Sequence, residues 1–245
     1  MAINWHFLSN PARFGRVASA VLPWSAVATA LLFAAGLWLA LFASPADYQQ
    51  GETVRIMYVH VPAAWMALMV YVFLAVAGAM LLVWKSPLAE LAARAAAPLG
   101  AGFTAIVLVT GAFWGKPTWG TWWVWDARLT SVLVLFFLYL GHMALDAAFD
   151  DPRRGARASA VLALVGIVNV PIIKFSVDWW TTLHQPASVL RLDGPTIHPS
   201  MLAPLLVMAF AYLAFFVTFL LVRLRAEIAR SRLDALRAAA ARATP

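Results

Sequence analysis

Residues 62–84 read PAAWMALMVYVFLAVAGAMLLVW, an unbroken apolar run without a single charged side chain. A helix of about 20 such residues crosses the hydrocarbon core of a bilayer. It does so because it satisfies its own N–H and C=O groups where lipid offers no partner. Five further stretches read the same way, at about 22–44, 95–113, 130–149, 158–177 and 201–223. The fifth of the six is the least regular. Asn169, Pro171 and Lys174 fall in its second half, which predicts a kink there with Lys174 snorkelling to the interface. The composition agrees: 63% hydrophobic and 12% charged, where a soluble domain is about half apolar and a quarter charged. The expected fold is all-α, a single polytopic membrane domain over 1–245 built as a bundle of six transmembrane helices.

Charge sets the orientation. Of the 18 Lys and Arg, thirteen lie before the first span, in the connections near 85–94 and 153–157, and from Arg223 onward. The alternate connections carry only Arg55, Lys116, Arg128, Lys174 and Arg191. The positive-inside rule then places both termini in the cytoplasm. A net charge of +7 would also suit nucleic acid, but this distribution makes it a topology signal and an attraction to anionic membrane lipid, with no nucleic-acid partner. The tail, 224–245, reads as a solvated cytoplasmic helix. Arg13 and Arg16 precede a span too long for a signal peptide, without a small-residue cleavage pattern. With no cysteine, the chain has no disulfide, thiolate metal site or thiol nucleophile.

Three segments face outward on this reading, 45–61, 114–128 and 176–200, and the distinctive chemistry falls in them. The second, with the two residues after it, reads WGKPTWGTWWVWDARLT over 114–130, where five of the chain's 12 tryptophans gather. An ordinary interfacial belt needs one or two Trp per helix end. Five in one connection, with Gly115, Pro117 and Gly120 shaping the backbone, suit a large flat ligand lying against indole faces. The spacing of Trp119, Trp122 or Trp123, and Trp125 predicts a short amphipathic helix at the interface. Asp126 reads as a local cap or a partner for Arg128, and no second carboxylate stands near it for acid–base catalysis.

The stretch from Trp114 to Thr130 resembles the tryptophan-rich WWD signature of the heme-handling proteins of cytochrome c biogenesis. Two more stretches resemble the same family, RIMYVHVPAAW over 55–65 and WWTTLHQP over 179–186. The six-span layout and the length point to its CcmC branch, cytochrome c maturation protein C. The resemblance implies heme b as cofactor, bound at the periplasmic face of a bacterial inner membrane. It further implies transfer to a periplasmic heme chaperone (CcmE), and a complex with an ABC-type ATPase and permease (CcmA, CcmB) and a small single-span subunit (CcmD). The chain carries no Walker-type phosphate loop, so ATP is handled elsewhere. It reads as a heme-transfer, heme lyase-like subunit with no catalytic residue of its own assigned; whether that makes it an enzyme stays open.

Five histidines are candidates for iron. His60 and His184 each stand in an outer His-x-Pro triplet, with Pro62 expected to open the second span and to fix the backbone beside His60. Neutral imidazole is a good iron ligand, and heme iron takes axial ligands on opposite faces. The residues matching His60 and His184 are the heme ligands in the resembled family. His198, also outward, is second to His184. His142 lies about 12 residues into the fourth span, roughly 18 Å from its outer end, and reads as a packing or hydrogen-bonding histidine. His6 reads as solvated. The expected heme site comprises His60 and His184 on the iron, Trp114, Trp119, Trp122, Trp123, Trp125 and Asp126 in the ledge, and Arg55 and Arg128 on the propionates. Rival readings are a cytochrome b-type redox subunit, which wants paired histidines inside the spans, a secondary transporter, which wants ionisable midplane sites, and a structural membrane subunit.

Overall fold

In the computed structural model, residues 10–243 are described, and they are helical apart from their connections and one isolated bridge between Asp47 and Gly51. Helix α1 (Pro11–Trp38) begins where the Asn10 side chain accepts from the Ala12 and Arg13 N–H groups at 2.9 and 3.4 Å. It runs into a wider π-turn, Leu39–Ala43, closed by Ser44 N–H on the Leu39 carbonyl at 2.8 Å. A 3₁₀ turn, Glu52–Ile56, leads directly into α2 (Met57–Trp84). Then follow α3 (Pro87–Trp119), α4 (Ala127–Ala147), α5 (Pro152–Gly166), α6 (Asn169–Trp179) and α7 (Pro199–Ala243).

Six of these runs are long and apolar enough to cross a membrane, with α5 and α6 together forming the fifth. The expected six-helix bundle stands. The expected kink also stands: the fifth run breaks between α5 and α6, and Asn169 Nδ2 donates to the Ser131 carbonyl of α4 at 2.9 Å. Lys174 is exposed. The tail is helical and exposed over 231–242. Its root is not: Leu224 and Ile228 pack on Leu91 and Ala95 of α3.

Two local expectations are corrected. Pro62 does not open the second span, because α2 already begins at Met57 and the proline sits inside it. The helix grows out of the preceding 3₁₀ turn, and the buried Met57 and Tyr58 anchor its first turn. Proline there removes one backbone donor, a loss that packing against neighbouring helices absorbs. The third helix likewise reaches well beyond 95–113. Ser86 caps it by accepting from Ala89 N–H at 3.3 Å, and it ends only at Gly120, which takes a left-handed φ of 79°. That conformation is cheap for glycine alone.

Helix α2 is the centre of the bundle, packed on α3, α5 and α7, while α1 pairs along α7. The closest approaches use glycine. Gly100 receives the ring of Tyr139, whose hydroxyl donates to the Ala67 carbonyl at 2.7 Å, and Gly166 receives the hydroxyl of Tyr71. The outer surface is greasy: Trp24, Leu31, Phe42, Val83 and Phe210 are all mostly exposed. Water would not tolerate so continuous an apolar surface, whereas lipid covers it.

The Tyr71 hydroxyl is buried with no hydrogen-bond partner among the described residues, and a Cβ on Gly166 would overlap it. Gly166→Ala should therefore lower the thermal unfolding midpoint in detergent, in line with an overpacking cost of about 1–3 kcal/mol. Tyr71→Phe should be nearly neutral by itself and should restore much of the loss in the double variant. A Gly166→Ala protein that unfolds at the wild-type temperature contradicts this packing.

Candidate functional site

The connections 45–56, 120–126 and 180–198 meet at one end of the bundle, joined by side chains that sequence spacing does not reveal. Trp114 Nε1 donates to Gln50 Oε1 at 2.7 Å, and the Thr182 hydroxyl meets Asp126 Oδ2. Asp126 also caps α4, accepting from Leu129 N–H at 2.7 Å. Such a cap is worth about 1 kcal/mol. Of the two roles expected for Asp126, the cap is the one its hydrogen bonds fill.

His60 stands on the first turn of α2 with its ring against α3. Its Nδ1 lies 3.0 Å from Thr110 Oγ1, and the Thr110 hydroxyl lies 2.6 Å from the Ile106 carbonyl. A carbonyl only accepts, so that hydroxyl donates to Ile106 and accepts from His60. These partners assign the proton of the neutral ring to Nδ1 and leave the lone pair on Nε2. Gly111, the next residue, makes room for the ring; a Cβ there would stand 3.1 Å from His60 Cε1. One turn further on, Trp114 meets the imidazole edge-on, with centroids 5.6 Å apart.

His184 lies in the connection between α6 and α7, with its ring 4.8 Å from that of Trp119. Its backbone N–H donates to Thr182 Oγ1 at 3.2 Å. Nδ1 is buried and has no hydrogen-bond partner among the described residues. Asp126 Oδ2 is 3.8 Å away, too far for a hydrogen bond but near enough to act through its charge. Burial, and then the Arg128 guanidinium, push the His184 pKa down to about 4, against the opposing pull of Asp126. The imidazole is therefore neutral above that pH. An unpaired buried polar nitrogen costs about 1–3 kcal/mol.

The two imidazoles meet indoles one turn apart on the same helix end, Trp114 and Trp119. Arg128 is itself held, by Ser176 Oγ at 3.0 Å and by the Ile173 and Lys174 carbonyls at 3.2 Å each. Those bonds use Nε and Nη2 and leave Nη1. Arg55 is more fully engaged, paired with Glu52 and donating to the Ala40 carbonyl of the π-turn at 2.7 Å.

The tryptophans divide. Trp114 and Trp119, on the last turns of α3, touch the imidazoles. Trp122, Trp123 and Trp125 follow Gly120 in a non-helical stretch, with Trp123 set against Trp125 at 5.5 Å. No amphipathic helix forms over Trp119–Trp125, since Gly120 ends α3 and Asp126 starts α4. Trp125 is 77% exposed and Trp122 52%, which leaves indole surface open at the rim. His198 is exposed and its Nδ1 is 2.8 Å from Ser200 Oγ, at the start of α7. His142 is buried among the helices, and its Nδ1 has no hydrogen-bond partner among the described residues. His6 lies outside the described residues. No group of three or more His, Cys, Asp or Glu gathers among those residues to hold a bare metal ion. A pair of imidazoles remains, and that suits a metal whose other ligands arrive with it.

Residues 4–239 match the sequence profile of the CcmC family, described as heme exporter protein C. The chain belongs to this family. It is 57% identical over 229 residues to the heme exporter protein C of Bradyrhizobium diazoefficiens, covering 94% of this chain and 87% of that one. It is 49% identical over 221 residues to the protein of that name in Escherichia coli K12, covering 90% and 89%. A ccmC-like mitochondrial protein of cytochrome c biosynthesis from Marchantia polymorpha is 49% identical over 187 residues, covering 76% and 78%.

Sequence reasoning missed Gln50, Thr110, Gly111, Thr182 and Ser176. Thr110-Gly111, a hydroxyl beside a gap near the outer end of an apolar span, was the available signal for two of them.

The depressed pKa of His184 carries a stability consequence. A histidine that ionises near 6.5 when unfolded and near 4 when folded favours the fold fully above pH 6.5, and that contribution is lost as pH falls toward 4. The thermal midpoint of the ligand-free protein should therefore drop between pH 6.5 and 4, and drop less in His184→Gln. Identical pH profiles for the two proteins would exclude this environment for the ring.

Proposed function

We propose that this protein binds heme at the periplasmic face of the inner membrane, with His60 and His184 holding its iron, and presents it for covalent loading onto a periplasmic chaperone during c-type cytochrome biogenesis. One observation carries the reading. Two imidazoles, one on the first turn of α2 with its lone pair on Nε2 and one in the connection between α6 and α7 kept neutral by burial, each stand beside an indole of the same stretch, Trp114 and Trp119. The relatives named heme exporter protein C and the cytochrome c biosynthesis relative support the same ligand and pathway.

The residues present fit heme. Two nitrogen donors suit an iron whose four equatorial positions are filled by a macrocycle. When bound, heme supplies that iron and a vinyl group open to attachment. The chain's own part is to hold and orient. Thr110 fixes the tautomer of His60, as a metal-binding histidine needs from its second nitrogen. Trp114 and Trp119 brace the rings, and the exposed Trp122 and Trp125 offer apolar faces to a macrocycle. Arg128, whose Nη1 is left over from its bonds to Ser176, Ile173 and Lys174, is one cation for a propionate, and Arg55 is the other. The open rim leaves one side of the site to a partner.

The family resemblance supplies the remaining assignments. The partner is the chaperone CcmE, and the protein works as a subunit of an ABC-type complex with CcmA, CcmB and CcmD. ATP hydrolysis belongs to the ATPase subunit. This chain is a multi-pass inner-membrane subunit for heme transfer, and heme b is the form bound.

The test is the visible spectrum of the protein purified in detergent and titrated with heme. His60→Ala and His184→Ala should each weaken binding at least about tenfold, a loss of about 1.4 kcal/mol. His142→Ala and His198→Ala should bind like wild type, and Thr110→Val should bind more weakly than either. Heme retained by the His60→Ala/His184→Ala double variant, or lost on changing His142 alone, would sink the proposal.

A further inference from the structure

The opposite end of the bundle holds a second candidate site. Helices α1 and α7 are in close contact at Gly36 and Met208, and Thr29 and Thr218 share a hydrogen bond at 3.0 Å. Toward the termini a groove of about 370 Å³ opens between them. Its α1 wall carries Ala12, Gly15, Arg16 and Ser19, and its α7 wall Arg225, Ile228, Ala229 and Arg232. Along each helix these residues share one face by i, i+3, i+4 and i+7 spacing, so each wall presents small or apolar side chains flanked by arginine.

Charge decides what the groove takes. Arg230 and Arg237 on the same helix meet Glu227 and Asp234 at 3.7 and 3.8 Å. Arg16, Arg225 and Arg232 have no carboxylate within salt-bridge distance among the described residues. Three like charges around one cavity repel unless an anion enters, and guanidinium forks bind phosphate bidentately. Position narrows the choice. Arg16 lies six residues before the apolar stretch that begins near 22, and Arg225 and Arg232 lie two and nine residues past the one that ends near 223. At 1.5 Å per residue that is about 3–14 Å beyond the hydrocarbon, the depth of phospholipid headgroups and the water beside them. Basic pockets between membrane helices at this depth suit anionic headgroups.

We propose that this groove binds the phosphate headgroup of an anionic phospholipid, with Arg16, Arg225 and Arg232 on the phosphate and glycerol and the acyl chains running back along α1 and α7. The site is independent of the histidine pair and survives if the heme reading fails.

The experiment is native mass spectrometry of the full chain in neutral detergent, with phosphatidylglycerol or phosphatidylcholine added. Wild type should retain phosphatidylglycerol and not phosphatidylcholine. R16Q/R225Q/R232Q should retain at least about tenfold less, whereas R230Q/R237Q/R242Q, with the same loss of charge outside the groove, should behave like wild type. Equal retention of the two lipids by wild type overturns the proposal, and this comparison needs no variant to fold. It is also overturned if the two triple variants behave alike, or if inorganic phosphate at equal concentration displaces the lipid, which would make the groove a free-anion site. Unchanged lipid retention in R16Q/R225Q/R232Q, with loss of binding to an acidic protein, assigns the arginines to that partner instead.

Discussion

Lipid gives a peptide group nothing to bond with, and that constraint governs this molecule. Every crossing segment must be a helix, and polar side chains inside the crossings must find partners in neighbouring helices. Most of those in the described structure do, while the Tyr71 hydroxyl and His142 Nδ1 stay unpaired. Tyr139 bonds the Ala67 carbonyl, Asn169 the Ser131 carbonyl, and Arg94 pairs with Asp146 at 2.7 Å. Ligand chemistry is displaced to the ends of the bundle, where backbone can leave the helix. At the tryptophan-rich end one carboxylate organises that freed backbone. Asp126 starts α4, binds Thr182 and stands beside His184, so the second and third connections of that end are tied through a single side chain.

The spans were legible in the sequence because hydropathy over twenty residues is a strong signal. Their ends were not. Helix α3 continues to Trp119 because nothing before Gly120 ends it, and the extra turns carry Trp114 and Trp119 to the imidazoles. Hydropathy falls off at Gly115 and Lys116, so those turns read as loop. The site was legible in its parts. His60, His184 and the tryptophans stood out by type and by resemblance, and the structure brings both histidines against indoles of the same segment. What fixes them was hidden, because Thr110 lies 50 residues from His60 and Thr182 lies 56 from Asp126. The arginines were legible as cations, but their structural bonds were not. Arg55 and Arg128 each hold backbone carbonyls of another element, so structural bonding and any anion binding share one guanidinium.

The rival readings fare unequally against this arrangement. A redox subunit of the cytochrome b type needs facing histidines within the helices. His142 is the one histidine buried deep in the described bundle, and the residues acting on it by charge are Asp146 and Arg94 rather than a second imidazole. A transporter needs a broken helix lining a midplane cavity. The break between α5 and α6 is instead closed by Asn169 on α4, and Gly166 beside it is filled by Tyr71. A purely structural subunit leaves the five tryptophans gathered over 114–125 without a use.

The two imidazoles also differ in stiffness. His60 stands on a regular helix, with one nitrogen bonded to α3, a glycine cut to its ring and an indole against its edge. His184 hangs from a connection whose backbone bonds are few, chiefly Trp180 to Ser176, Gly194 to Arg191 and Thr196 to Ser188. Local opening is cheapest where hydrogen bonds are few and exposure is high, so displacing His184 costs less than displacing His60. A site built this way has one fixed wall and one yielding wall. The yielding wall meets the tryptophan segment at Trp119, just before the exposed Trp122.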